Sequence, residues 1–251
     1  MRHPKLIFKL SLLFNIKKIF WLFIGLCFAS TVQSATYLNK TRLIIQEKDP
    51  DVTFSLTNQG QFPALMQLWI DQNNLFDRPE LIKSPFLITP SLFRLDASKK
   101  YAVRIQLVDQ DEAMAKDRES LFWLNVLEVP PKPLSSVDSN SLQLAFRTRI
   151  KLFYRPSILA TTNLTNEIKK LQSDKVNCLS GRCLSLKNHS PLHISLLNIT
   201  LNDNQIVSDL PNDGMIAPFS TIEIPLDNPE NQLKKFIWID EDGVLNDVNQ
   251  Q

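Results

Sequence analysis

Four groups of residues in this 251-residue chain have types and spacings that could carry chemistry. His189 and His193 stand four apart, which on a helix would aim two imidazoles at one metal ion. Pro191 lies between them and the sequence beyond alternates like a strand, so no metal site is expected there. Cys178 and Cys183 flank a Ser180-Gly181 turn, a spacing that allows a hairpin disulfide, a pair of free thiols or a metal pair. Asp240, Glu241 and Asp242 cluster before Gly243, where carboxylates could share acid and base roles, although a solvated turn needs nothing more than these residues. Last, Arg147, Arg149, Lys151 and Arg155 recur at odd positions of one segment, which puts a basic face on it if it is extended. No G-x-S-x-G, G-x-G-x-x-G or phosphate-binding loop occurs. No catalytic residue, cofactor or metal is therefore expected, and the chain reads as a binding protein.

The elements that must position these groups are strands. Period-two alternation marks Val52 to Leu56, Leu65 to Ile70, Tyr101 to Leu107, Leu121 to Val126, Leu142 to Phe153, Ile194 to Leu201, Thr221 to Ile224 and Phe236 to Ile239. Pro, Asn and Asp stand at the breaks, and with only five glycines the turns must rely on them. One helical turn is expected over Ala113 to Asp117. The spacing predicts an all-β fold of Greek-key sandwiches. A boundary falls after Tyr154-Arg155-Pro156, where a long strand meets proline and then a polar stretch from Thr161 to Asp174. Two sandwiches of about a hundred residues each fit the length.

The N-terminus reads as an export signal over residues 1–34. Arg2, Lys5, Lys9, Lys17 and Lys18 precede an apolar run from Ile19 to Ala29 that is short for a membrane span, and Val32-Gln33-Ser34 supplies small residues for cleavage before Ala35. Leu26 ahead of Cys27 is too bulky for a lipoprotein site. All five of those cations leave with the leader and none of the 26 acidic residues does, so the remainder is slightly acidic and nucleic acid is not an expected partner. Export also favours the disulfide reading of Cys178 and Cys183, as a staple that fixes local geometry.

The most informative segment runs from Leu142 to Pro156. In extended geometry Leu142, Leu144, Phe146, Thr148, Ile150, Leu152 and Tyr154 face one way and the basic residues the other. A charged edge strand would explain the basic face, but not a length about twice that of a typical strand.

These residues resemble the PapD-like periplasmic chaperones of the chaperone-usher pilus pathway. The likeness rests on Ile150-Lys151-Leu152-Phe153-Tyr154-Arg155-Pro156, on Asp117-Arg118-Glu119-Ser120 running on to Val129-Pro130-Pro131, and on Lys40-Thr41-Arg42. Pro63 to Trp69, Thr89-Pro90 with Arg94-Leu95, and Asn188-His189-Ser190-Pro191 extend it along the chain. The resemblance implies two immunoglobulin-like domains in a boomerang, residues 35–156 and 157–251, working in the periplasm on pilus subunits and an outer-membrane usher. It places Arg42 and Lys151 as cleft cations for the subunit's C-terminal carboxylate, and Leu142, Leu144 and Phe146 as donor residues for the subunit's open groove. It makes Glu119 and Arg155 an inter-domain ion pair, whose third member is an Asp in the family and here falls nearest Glu241. It also implies self-association through the donor strand when no subunit is bound. The alternative is a structural or adhesin sandwich of the pilus itself, which should lack the cleft cations.

Overall fold

Alternation becomes strand pairing throughout the residues that the computed structural model describes, which are 36–73, 76–109, 114–132, 143–179 and 181–250. The expected signal peptide, Ala35 and the expected donor residue Leu142 lie outside the described residues. The first half contributes β1 (Thr36–Leu38), β2 (Arg42–Gln46), β3 (Asp51–Asn58), β4 (Ala64–Asp71), β5 (Phe86–Thr89), β6 (Leu92–Leu95), β7 (Lys100–Leu107), β8 (Ser120–Val129) and β9 (Phe146–Arg155). They form two sheets, ordered β1-β3-β7-β5 and β2-β9-β8-β4-β6. Every second side chain of β3 and β4 turns inward, so Phe54, Leu56, Met66 and Leu68 meet Ile105 and Phe122 in one buried core. Each such side chain contributes roughly 1.5–3 kcal/mol of burial.

The second half contributes α1 (Leu164–Glu167), β10 (Leu171–Cys178), β11 (Gly181–Asn188), β12 (Ile194–Leu201), β13 (Ile206–Val207), β14 (Met215–Ile216), β15 (Thr221–Pro225), β16 (Leu233–Ile239) and β17 (Leu245–Asn249). One sheet is β10-β11-β15; the other is β13-β12-β16-β17, with β14 also on β12. Leu186, Ile194, Ile199, Ile216 and Phe236 belong to a second core that shares no residue with the first. The polar stretch after Pro156 holds α1, whose first turn is capped by Asn163 Oδ1 accepting the Thr165 N–H at 2.7 Å. Leu164, Ile168 and Leu171 anchor it in the second core. A disulfide joins Cys178 to Cys183 across the β10–β11 hairpin, with Cα atoms 5.9 Å apart.

Three features shape the candidate site. The chain changes sheets between β1 and β2: β1 runs antiparallel to β3, whereas β2 runs parallel to β9 in the other sheet. Asn39 pins the crossing, donating its N–H to Ser55 O and accepting the Ser55 N–H on Oδ1. Second, β2 covers only the end of β9, from Lys151 to Arg155, so among the described residues no strand lies along the outer edge of Phe146 to Ile150. Third, β9 begins at Phe146 and not at Leu142 as expected. Its ladder partner there is Glu128, one residue from the end of β8, and Pro130-Pro131 then removes the N–H groups a longer ladder would need. Gln143 Nε2 instead donates to Pro130 O at 2.7 Å, and Leu144 and Ala145 carry no regular structure.

The helical turn expected at Ala113 to Asp117 is also corrected: among the described residues, Met114 to Asp117 hold no helix, with bends at Met114, Lys116 and Asp117. Met114 is buried in the first core, and this anchor holds the segment against the sandwich in place of a free turn.

Candidate functional site

The side chains of β9 that face the first core change character along the strand. Tyr154, Leu152 and Ile150 are buried there, whereas Phe146 is 63% exposed and Leu144, just before the strand, is 55% exposed. Apolar side chains thus continue the core's line past the edge of the sandwich, beside a backbone edge without a strand partner. An incoming strand would find unpaired main-chain groups and apolar side chains at alternate positions.

The opposite face of β9 leads to the junction of the two sandwiches. Lys151 stands in register with Arg42 on the parallel strand β2, which brings two cations to the same face of adjacent strands. Lys151 Nζ donates to Ser195 Oγ of β12 at 3.2 Å, and an Arg42 guanidinium N–H donates to the Ile239 carbonyl of β16 at 3.2 Å. Neither cation has a carboxylate within ion-pairing distance among the described residues. Arg42 is buried, and its Nε–H finds no acceptor there. Burial, and then the neighbouring Arg42 charge, pull the Lys151 ammonium down to about 8, against a smaller opposing pull from Asp213. Burial lowers Arg42 as well, with Asp240 and Glu119 opposing. Two desolvated cations and an unsatisfied buried donor are costly alone and complementary to one carboxylate.

A neighbouring cluster ties the two sandwiches together. Arg155 Nε donates to Glu119 Oε1 at 2.8 Å, and a second Arg155 nitrogen lies 2.6 Å from Glu241 Oε1. The three acidic residues at this turn have separate partners. Glu241 meets Arg155, Asp240 Oδ1 accepts the backbone N–H groups of Asp242 and Val244, and Asp242 lies 3.7 Å from Lys40 Nζ. The backbone N–H of Glu119 donates to Pro191 O at 2.9 Å. Gly243 has φ +85°, and a Cβ there would meet Thr41 Oγ1 at 2.2 Å, so glycine permits this close approach of the second sandwich to the residue before Arg42.

Sequence reasoning missed three participants. His193 has its Nδ1 and its backbone N–H each 2.8 Å from Glu119 Oε2. With a carboxylate as acceptor, Nδ1 must carry the proton. His189, four residues earlier, meets Gln172 Oε1 at 2.9 Å on the surface. Ser195, buried on β12, holds Lys151 and carries no distinguishing signal in the sequence. Asp71 is ion-paired with Arg149 and accepts from Asn125 Nδ2, while Arg149 lies 4.4 Å from the Trp123 ring centre. Arg149 and Arg155 therefore have carboxylate partners, and Lys151 between them does not.

Comparisons with known proteins agree with this architecture. Residues 35–160 match the model for the N-terminal domain of PapD, a pili and flagellar-assembly chaperone, and residues 166–250 match that for the C-terminal domain of the pili assembly chaperone PapD. The chain is 34% identical over 217 residues to the chaperone protein FimB/FhaD of Bordetella pertussis, an alignment covering 86% of this chain and 87% of that one. Among solved structures, the CupB2 chaperone of Pseudomonas aeruginosa superposes with a TM-score of 0.70 at 30% identity, covering 85% of this chain and 98% of the other. The YadV chaperone superposes with a TM-score of 0.69 at 31% identity, covering 86% and 99%.

Proposed function

Because the chain belongs to the PapD family of pili assembly chaperones, we propose that it is a periplasmic chaperone that captures pilus subunits, caps them by donor-strand complementation and hands them to an outer-membrane usher. The observation that carries this reading is the pair of carboxylate-free cations, buried Arg42 and half-buried Lys151, at the foot of a strand whose far end has an open edge and exposed apolar side chains. The cations grip the subunit's terminal carboxylate and so fix the register of the subunit strand that pairs along β9. Leu144 and Phe146 then fill the subunit's open groove, with Leu142 continuing their series. Residues 35–156 act as the domain that bears the donor strand and 157–251 as the domain that closes the cleft. Glu119, Arg155 and Glu241 hold the two in orientation. This work needs no covalent chemistry, and a structural or adhesin sandwich would have no use for two uncompensated cations at an inter-domain junction. Without a subunit, the same open edge is a site for pairing with a second copy.

Leu144→Glu/Phe146→Glu tests the donor role. Both side chains are exposed in the free protein, so the folded state is spared. Losing two buried apolar groups and adding charge in the groove is expected to weaken capture by about 100-fold or more. In periplasmic extracts with a co-expressed pilus subunit, the variant should be soluble and alone; a folded variant that retains the subunit as well as wild type refutes the donor assignment.

The Lys151 ammonium gives capture a pH dependence. The free cleft loses that charge as pH rises through about 8, whereas a bound carboxylate stabilises it. Affinity for a subunit is therefore expected to fall above pH 8, by at most about tenfold per pH unit, until the occupied cleft also deprotonates. Titration of binding between pH 7 and pH 9.5 measures this, and Lys151→Met should flatten the profile.

A further inference from the structure

We infer that Asp71 sets the register in which a partner strand is captured: by neutralising Arg149 it denies the partner's terminal carboxylate a second seat and leaves Lys151 with Arg42 as the place where that chain must end. The inference rests on the anchoring role proposed for Arg42 and Lys151, and it concerns a residue outside both that pair and the ion cluster that joins the sandwiches.

A strand that ends at Lys151 and follows the open edge from Phe146 to Ile150 runs in the same direction as β9. Its apolar side chains must alternate in step with those of β9. Alternation rejects a slip of one residue, which turns every side chain to the wrong face, but it accepts a slip of two. The choice between registers two residues apart therefore falls to the anchor. On β9 that choice is ambiguous, because Arg147, Arg149, Lys151 and Arg155 all lie on one face. Arg149 is the nearest rival to Lys151. It lies beside the open edge, its guanidinium can grip a carboxylate with two parallel hydrogen bonds, and its Nε–H has no acceptor among the described residues.

Asp71 on β4 removes this rival. Its carboxylate is ion-paired with the Arg149 guanidinium across the intervening strand β8, and the pair is shielded, with side-chain exposures of 1% for Asp71 and 17% for Arg149. Asp71 is itself held in place, accepting the Asn73 N–H on Oδ1 at 2.8 Å and Asn125 Nδ2 on Oδ2 at 2.7 Å. Asn125 is the ladder partner of Arg149, and Trp123, whose ring centre lies 4.4 Å from the guanidinium carbon, is the ladder partner of both Asp71 and Lys151. A carboxylate arriving at Arg149 must displace a buried partner, which disfavours that register by about a hundredfold or more. The remaining cations of the face compete no better. Arg155 is occupied by Glu119 and Glu241, and Arg147 is exposed, where a carboxylate gains little.

Asp71→Asn keeps the side chain's size and an acceptor for the Asn73 N–H, and it frees Arg149. Thr148→Cys, at an exposed position on the open edge, reports the register in every background. The probes are ten-residue synthetic peptides of alternating apolar and polar residues with a free C-terminal carboxylate, each carrying one cysteine at a different position as its mixed disulfide with thionitrobenzoate. The rate at which the protein thiol releases thionitrobenzoate shows which peptide residue lies beside residue 148. With Asp71 present, one position should react at least about tenfold faster than those two residues away. In Asp71→Asn the position two residues nearer the peptide's C-terminus should rise to within about threefold of it. Asp71→Asn/Arg149→Met should return the single position, which a cleft merely loosened by the first substitution would not do. Lys151→Met with Asp71 kept should weaken capture without moving the register, and this variant decides the matter if Asp71→Asn does not fold. A folded Asp71→Asn chain with the wild-type pattern, or a two-residue shift in Lys151→Met, overturns the role of Asp71 alone. If the wild-type chain binds the C-terminal amide of the peptide as well as the acid, the anchoring itself is overturned and this inference with it.

Discussion

Lys151→Ala and Arg42→Ala are each expected to abolish recovery of a soluble one-to-one complex with a co-expressed pilus subunit while leaving a folded chaperone. Each cation can give the subunit carboxylate charge-assisted hydrogen bonds contributing about 1.5–3 kcal/mol, and losing the anchor also frees the register of the strand pairing along β9. A loss of 100-fold or more in affinity is the expected scale. Stability should move the other way at Lys151. Its folded value of about 8 lies below the ordinary 10.5, so below pH 8 the ammonium is charged in both states and is less favourably placed in the folded one. The cost at pH 7 is on the order of 3 kcal/mol, and it fades as pH rises from about 8 toward 10.5. Lys151→Met keeps the aliphatic stem and removes the charge, so it should melt at or above wild type at pH 7 and lack the wild-type gain in stability at higher pH. Arg42→Ala should lose some stability, because Arg42 also binds the Ile239 carbonyl across the junction. Folded variants that retain the subunit as well as wild type would sink the carboxylate-anchoring mechanism.

The strand that carries this prediction was legible in the sequence because its chemistry is local. Alternation from Phe146 to Arg155 assigns each side chain to a face without knowledge of any partner, and the structure keeps Ile150, Leu152 and Tyr154 inward with Lys151 on the opposite face. What alternation cannot supply is the neighbour. Arg42 meets Lys151 through a parallel pairing between segments more than a hundred residues apart, and only the family resemblance brought the two together. The same holds for Glu119, Arg155 and Glu241, which come from two different sandwiches. Strands without alternation were missed as well. The sequence of β2 is a run of three apolar residues between polar ends, and β5 and β6 are four residues each around Pro90-Ser91. His193 gave no sign of its contact with Glu119, which depends on the junction between the sandwiches and not on the spacing from His189.

Arg155→Ala is expected to destabilise the folded chain by about 3–5 kcal/mol, the reverse of the outcome at Lys151 four residues earlier on the same face of the same strand. The difference lies in the partners. Glu119 is buried and divides its oxygens between Arg155 on one side and His193 on the other. Burial disfavours the Arg155 charge, but Glu119 and then Glu241 outweigh it and hold the guanidinium above its ordinary value. Deleting Arg155 leaves a desolvated carboxylate whose remaining contacts, to His193, cannot replace the lost cation, and it frees Glu241 from the first sandwich. Thermal melting of Arg155→Ala should show the loss. Arg155→Ala/Glu119→Ala should recover part of it, because the second substitution removes the charge that the first one orphans. If the single variant melts with wild type, Glu119 is solvated or paired in another way and the cluster does not bind the two sandwiches together. If the double variant is less stable than the single one, the Glu119 carboxylate contributes through His193 more than through Arg155. The two cations thus separate by measurement: removing Lys151 spares the fold and ends capture, while removing Arg155 weakens the fold on which capture depends.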